Sequence, residues 1–79
     1  MAEYYLFGTQ GCHLCTQAEQ LIDQLDSSIS YHTKDITEKP EWLALYAIRI
    51  PVLYHINSQR ELDWPFDSRV LSQFIQQHH

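Results

Sequence analysis

Basic residues, cysteine and long apolar runs are all scarce in this chain, and each scarcity excludes a class of protein. Five lysines and arginines face ten aspartates and glutamates, a formal charge of −5. Neither nucleic acid nor an anionic membrane surface is therefore expected as a partner, because both are polyanions. The wholly apolar runs are only a few residues long, against the ~20 needed to span a bilayer. Met1-Ala2-Glu3 is not the basic head of a signal peptide, and no long apolar stretch follows it. A cytoplasmic protein is the expectation. With only Cys12 and Cys15, the chain lacks the framework of several disulfides that staples small secreted domains. Repeats, low-complexity tracts and linkers are missing as well. No Walker loop, G-x-G-x-x-G, Ser-His-Asp arrangement or paired-carboxylate site stands out.

What is present is core material. Apolar residues make up 44% of the 79 positions and aromatics 13%, too hydrophobic a composition for disorder. The length fits one domain over residues 1–79.

Glu3 to Thr9 is a short aromatic and apolar run ended by Gly8, which predicts a buried strand. After Gln10 and Gly11 the cysteine pair opens a helix in which Leu14, Ala18, Leu21, Ile22 and Leu25 form the apolar stripe. This helix should stop around Asp26 to Ser28. Ile29 to Ile36 reads as a second strand. Thr37 to Pro40 marks a helix entry, and the helix it opens carries Trp42, Leu45 and Tyr46 and ends before Pro51. Val52 to Ile56 and Glu61 to Trp64 form a hairpin around Asn57 to Arg60. Asp67 or Ser68 caps a last helix bearing Val70, Leu71, Phe74 and Ile75, with Phe66 and Leu71 as a hydrophobic staple. The class is α/β, in the order β-α-β-α-β-β-α. The first βαβ unit is parallel with a right-handed crossover, and helices cover the sheet.

Cys12 and Cys15 lie where a strand has ended and a helix begins. A bridge between them closes too small a loop to be a useful staple, so a redox pair, half a metal site and mere coincidence are the readings to weigh. The thiolate is the form of cysteine that attacks disulfides, and a helix N-terminus lowers a thiol pKa from about 8.5 toward about 7 or below. Cys12 occupies that end as the candidate nucleophile. Cys15, three positions on and on the same face, can resolve a mixed disulfide formed there. His13, inside the pair, is a candidate to hold the thiolate or tune its potential, against the plainer role of an exposed helix-start residue. The Ile50–Pro51 bond can be cis, which would turn the chain beside Cys12 and offer a backbone edge to an extended substrate; otherwise Pro51 merely stops a helix. Two thiolates alone are half of a four-ligand metal or iron–sulfur site. A partner-binding domain with incidental cysteines is the third alternative. No metal or other cofactor is expected.

Tyr5-Leu6-Phe7-Gly8-Thr9-Gln10-Gly11-Cys12-His13-Leu14-Cys15 resembles the opening of the glutaredoxin-like proteins of the thioredoxin superfamily. Tyr46 to Leu53 resembles their cis-proline segment, and Trp64-Pro65-Phe66-Asp67 looks like the tail motif of a short bacterial glutaredoxin-like family. The resemblance covers essentially the whole chain. It implies a thioredoxin fold with sheet order 2-1-3-4 and thiol–disulfide exchange with a disulfide-containing protein or a low-molecular-weight thiol. It also implies Cys12 as nucleophile, Cys15 as resolver, Pro51 as the cis-proline, and substrate contacts at His13, Ile50 and Pro51. There are departures. His13-Leu14 replaces the Pro-Tyr typical between glutaredoxin cysteines, and Trp64-Pro65-Phe66-Asp67 replaces the Gly-Gly-x-Asp turn that holds a glutathione carboxylate. Pro65 has no N–H to offer and Asp67 is itself an anion, which weighs against glutathione without removing it.

Among the remaining residues, Trp42 and Trp64 read as core aromatics, Arg49 as facing solvent or a surface ion pair, and Lys34, Asp35 and Glu38 as solvated rim. His32 and His55 fall in strands, with nothing to pair them with the cysteines.

Overall fold

A computed structural model describes residues 2–25 and 29–78. The elements are β1 (Tyr4–Gly8), α1 (His13–Asp23), β2 (Tyr31–Asp35), a 3-10 turn (Ile36–Glu38), α2 (Pro40–Tyr46), β3 (Val52–His55), β4 (Arg60–Asp63) and α3 (Ser68–Gln76). The sheet runs β2-β1-β3-β4. β2 is parallel to β1, β3 antiparallel to β1, and β4 antiparallel to β3. This is the order and sheet of the thioredoxin fold.

β1 is the central strand and is buried on both faces, which is why its sequence is a continuous apolar run rather than an alternating one. Tyr4 and Leu6 point into a core with Ala18 and Ile22 of α1, Leu53 of β3, and Leu71, Phe74 and Ile75 of α3. Phe7 points the other way, into a smaller cluster with Ile36, Tyr46 and Val52, against which Trp42 packs. α1 and α3 therefore cover one face of the sheet and α2 the other. The Phe7 ring stacks on Tyr46 at 4.4 Å and meets Trp42 edge-on at 5.2 Å.

The helix ends follow their caps. Pro40 stands in the first turn of α2, and the Asp67 carboxylate caps α3 by accepting the Val70 N–H at 2.9 Å. Phe66 and Leu71 share one core, as a staple requires. α1 ends at Asp23 with Gln24 as its C-cap; the stop expected at Asp26 to Ser28 lies outside the described residues, as does His79. β2 is shorter than its β-branched sequence suggested: it begins at Tyr31 rather than Ile29, and it loses Ile36 because the Asp35 side chain accepts the Thr37 N–H and turns the chain into the 3-10 helix. In the hairpin turn Gln59 takes a left-handed φ of 61°, and Arg60 already belongs to β4.

Three expected core positions are surface. Leu14 is 44% exposed, Leu45 57% and Val70 40%. In α1 the buried stripe is Cys15, Ala18 and Ile22, with a half-buried Leu25 in line. Cys15 takes the inward position, and helical phase turns its neighbour Leu14 away. In α2 the pair Trp42 and Tyr46, four residues apart, sets the inward direction and leaves Leu45 outside.

Leu53 is fully buried between the layers and Ile48 is 98% exposed. Leu53→Ala should cost about 2–5 kcal/mol of stability in urea unfolding, whereas Ile48→Ala should stay within about 0.5 kcal/mol of the parent.

Candidate functional site

The sheet topology gathers four connections at one end. β1 and β2 finish there, β3 begins there, and β4 runs back to it. The loop from Gly8 to Cys12, the 3-10 turn after Asp35, the Ile50-Pro51 segment and the Trp64–Asp67 approach to α3 therefore share that end. Continuing the β1–β3 register by one residue beyond Phe7↔Val52 sets Pro51 across from Gly8.

Cys12 is the N-cap of α1, with extended backbone at φ −89° and ψ 104°, and its Sγ accepts the Cys15 N–H at 3.2 Å. A sulfur thus occupies the place normally held by a serine or aspartate oxygen. The Cys12 carbonyl accepts the Thr16 N–H at 3.2 Å. Cys12 and Cys15 are joined by a disulfide, their Cα atoms 5.3 Å apart. The two sulfurs have unequal surroundings. Cys12 is half-buried at the helix mouth, while Cys15 is 8% exposed on the helix face that meets the sheet.

The other sequence candidates divide. His13 is exposed at the first position of α1. The Ile50–Pro51 peptide is cis, as the resemblance implied, and so is Trp64–Pro65, which the sequence reading did not anticipate. Pro51 is buried and its carbonyl accepts the Trp64 N–H at 3.1 Å. Ile50 is half-buried against the Phe7–Tyr46 cluster, and its N–H donates to the Tyr46 carbonyl at 3.1 Å. The open edge expected at Ile50 is thus reduced, because its donor already has a partner within the chain.

Arg49 is engaged by two carboxylates and a ring. It donates to Glu61 at 2.6 Å and Asp63 at 2.8 Å, and its guanidinium lies over the Tyr46 ring. These two carboxylates raise its pKa further, so it is a fixed cation of the rim. Tyr46 donates its hydroxyl to Glu61 at 2.6 Å; burial, then this bond, pushes its pKa up.

Lys34, Asp35 and Glu38 do more than edge the surface. Together with Gly8, Thr9, Cys15 and Glu19 they line a cleft of about 300 Å³ behind the disulfide. Asp35 accepts from the Thr37 N–H at 2.9 Å and from the hydroxyls of Thr37 and Thr9 at 2.8 and 3.2 Å. The Thr37 N–H, followed by those hydroxyls, holds its carboxyl below the usual aspartate range. One signal for this cleft was in the sequence: Glu19 follows Cys15 by one helical turn. As for metals, among the described residues no three His, Cys, Asp or Glu side chains converge, so Cys12 and Cys15 remain a two-ligand half-site. No described helix is long and apolar enough to cross a membrane.

A CxxC disulfide at the mouth of α1, on this sheet, defines a redox-type thioredoxin-like domain. Comparison with known proteins gives the family. Residues 3–76 match the model of the Glutaredoxin-like domain (DUF836), and the chain belongs to that glutaredoxin-like family. The X-ray structure of Northeast Structural Genomics target protein XcR50 from X. campestris is similar at 32% identity and a TM-score of 0.83, over 92% of this chain and 95% of that one. Protein Ne2328 from Nitrosomonas europaea, solved by NMR, is similar at 29% identity and a TM-score of 0.73, over 92% and 89% of the two chains. No curated protein matches the sequence.

Because Asp35 has a lowered pKa in the folded chain, its stabilisation is fully present above the ordinary aspartate pKa. It is lost as pH falls through Asp35's own lower value. Asp35→Asn should therefore lower Tm at neutral pH and lessen the acid-side fall, so that the two Tm-against-pH curves converge at low pH.

Proposed function

We propose that this protein is a thiol–disulfide oxidoreductase in which Cys12 attacks and Cys15 resolves. The observation that carries the reading is the environment of the Cys12 sulfur, which caps a helix N-terminus, accepts the Cys15 N–H and keeps an exposed side. In the reduced form that N–H and the helix dipole stabilise negative charge on Cys12. The thiolate attacks one sulfur of a substrate disulfide, forming a Cys12 mixed disulfide and releasing the first substrate thiolate. Cys15 then loses its proton and attacks the Cys12 sulfur; the Cys12–Cys15 bond forms and the second substrate thiolate leaves. Two electrons pass from the pair to the substrate, whose two thiolates take up protons, and an external thiol regenerates the dithiol.

Substrate contact falls to the same end of the sheet. His13 on the first turn, the side chain and carbonyl of Ile50, and the turn at Pro51 are the proposed binding residues. A disulfide-bearing protein is the favoured partner over glutathione. The α3 N-terminus, the natural seat for a glutathione carboxylate, already has the Asp67 carboxylate on the Val70 N–H. Pro65 supplies no donor, and the chain carries a net charge of −5. A cytoplasmic place in thiol homeostasis would follow from this chemistry.

Cys12→Ser should reduce turnover of a model protein disulfide to the uncatalysed background, while Cys15→Ser should accumulate a mixed disulfide through Cys12. Iodoacetamide alkylation against pH should show a low apparent pKa confined to Cys12. Two slow, equivalent thiols with no turnover would refute the reading, and efficient trapping of oxidised glutathione in preference to protein disulfides would refute the choice of partner.

A further inference from the structure

Gly8 ends β1 with a backbone that any residue could adopt, since Gly11 has the only positive glycine φ. A glycine costs stability in a strand unless something approaches its bare face. Here that something is a sulfur. A Cβ built on Gly8 would lie 2.9 Å from the Cys15 Sγ, closer than Cβ atoms approach such neighbours, and a tight 3.2 Å from the Cys15 Cβ. Alternation along β1 turns this face, like those of Tyr4 and Leu6, toward α1.

We infer that Gly8 is a positioning residue for the resolving cysteine, and that its missing side chain favours the disulfide over the dithiol. The inference rests on the dithiol reading above. In the disulfide the Cys15 sulfur is tied to Cys12 and has no second rotamer, so the space over Gly8 is obligatory. In the dithiol the thiol can rotate about its single χ1 bond and leave that space. A methyl group at position 8 therefore penalises the oxidised form more than the reduced one, and only such a difference between two states can move their equilibrium. The same placement governs resolution. Seated on the strand, the Cys15 thiol faces the Cys12 sulfur of a mixed disulfide. It loses its proton toward the cleft it shares with Glu19 and Asp35, then forms the Cys12–Cys15 bond as the substrate thiolate departs.

The test is Gly8→Ala, equilibrated with dithiothreitol redox buffers and followed by the ratio of dithiol to disulfide. This measurement needs no turnover, so it stands even if no substrate is ever processed, an outcome that would sink the proposed function alone. The expected result is a shift of about tenfold or more toward the dithiol. A longer-lived mixed disulfide in single turnover should accompany it, with the Cys12 alkylation profile of the Cys15→Ser background unchanged by Gly8→Ala. Tm should fall more in the oxidised protein than in the reduced one. A folded Gly8→Ala protein with the parental equilibrium, or with equal Tm losses in both states, would overturn the inference. Should Gly8→Ala fail to fold, the Gly8→Ala/Cys15→Ala variant decides. Without the sulfur only the 3.2 Å contact persists, which a few tenths of an ångström relieve. Recovery of folding there, with reduced but not oxidised Gly8→Ala folding, supports the role; continued failure, or failure of reduced Gly8→Ala as well, overturns it.

Discussion

Everything at the candidate site depends on β1 being sandwiched between two apolar layers. Tyr4 and Leu6 on one face and Phe7 on the other are each at most 2% exposed, and burying side chains of this size contributes roughly 1.5–3 kcal/mol apiece. A strand held from both sides cannot slide or rotate without exposing one set of rings, because a shift by one residue exchanges the faces. Its C-terminal end is thus a fixed point. The chain leaves it at Gly8 and enters α1 at Cys12, so the helix mouth is delivered to a defined place beside the sheet.

Much of this was legible in the sequence because the relevant signals are short-range. Gly8 closing an aromatic run, Cys12 opening a 3.6-residue period, Pro40 in a first turn and Asp67 before an amphipathic helix each act within a few residues, and each gave the right element. The misplaced core residues have one cause. Leu14, Leu45 and Val70 were assigned to the interior as apolar residues near a stripe, yet which of two adjacent positions points inward is decided by the partner surface. In α1 a small sulfur, Cys15, could approach the bare strand at Gly8 where Leu14 could not. In α2 the flat rings of Trp42 and Tyr46 met Phe7 and left Leu45 outside.

Long-range polar relations were illegible for a similar reason. Asp35 looked like a rim residue, but its carboxylate joins Thr9 of the cysteine loop to Thr37 of the 3-10 turn. It thereby ties two of the four connections at the end of the sheet that carries the cysteines. For Arg49 solvent and a surface ion pair were equal expectations, and its partners, Glu61 and Asp63, lie on a strand 12 and 14 residues away. The bond from Asp35 to Thr37 is a local turn, but those from Asp35 to Thr9 and from Arg49 to its carboxylates have no spacing that a local pattern could reveal. Register supplies them: β1 and β2 set Gly8 beside Asp35, next to Thr9, and β3 and β4 set Glu61 and Asp63 beside the start of β3 that follows Arg49.

The two cysteines show how a three-residue separation produces unequal sulfurs. Position 12 is the cap, outside the helical repeat, where the backbone is extended and the side chain turns toward the free N–H groups of the first turn. Position 15 is inside the repeat and shares the inward direction of Ala18 and Ile22. One sulfur is thereby placed among donors that favour its charge and the other against a strand backbone that offers it no such help. Helical phase alone sets this difference, and the proposed division into attacking and resolving sulfurs rests on it. The proposed exchange draws its charge stabilisation at Cys12 from the helix end, since His13 lies exposed and Arg49, the nearest cation in sequence to Pro51, is committed to two carboxylates.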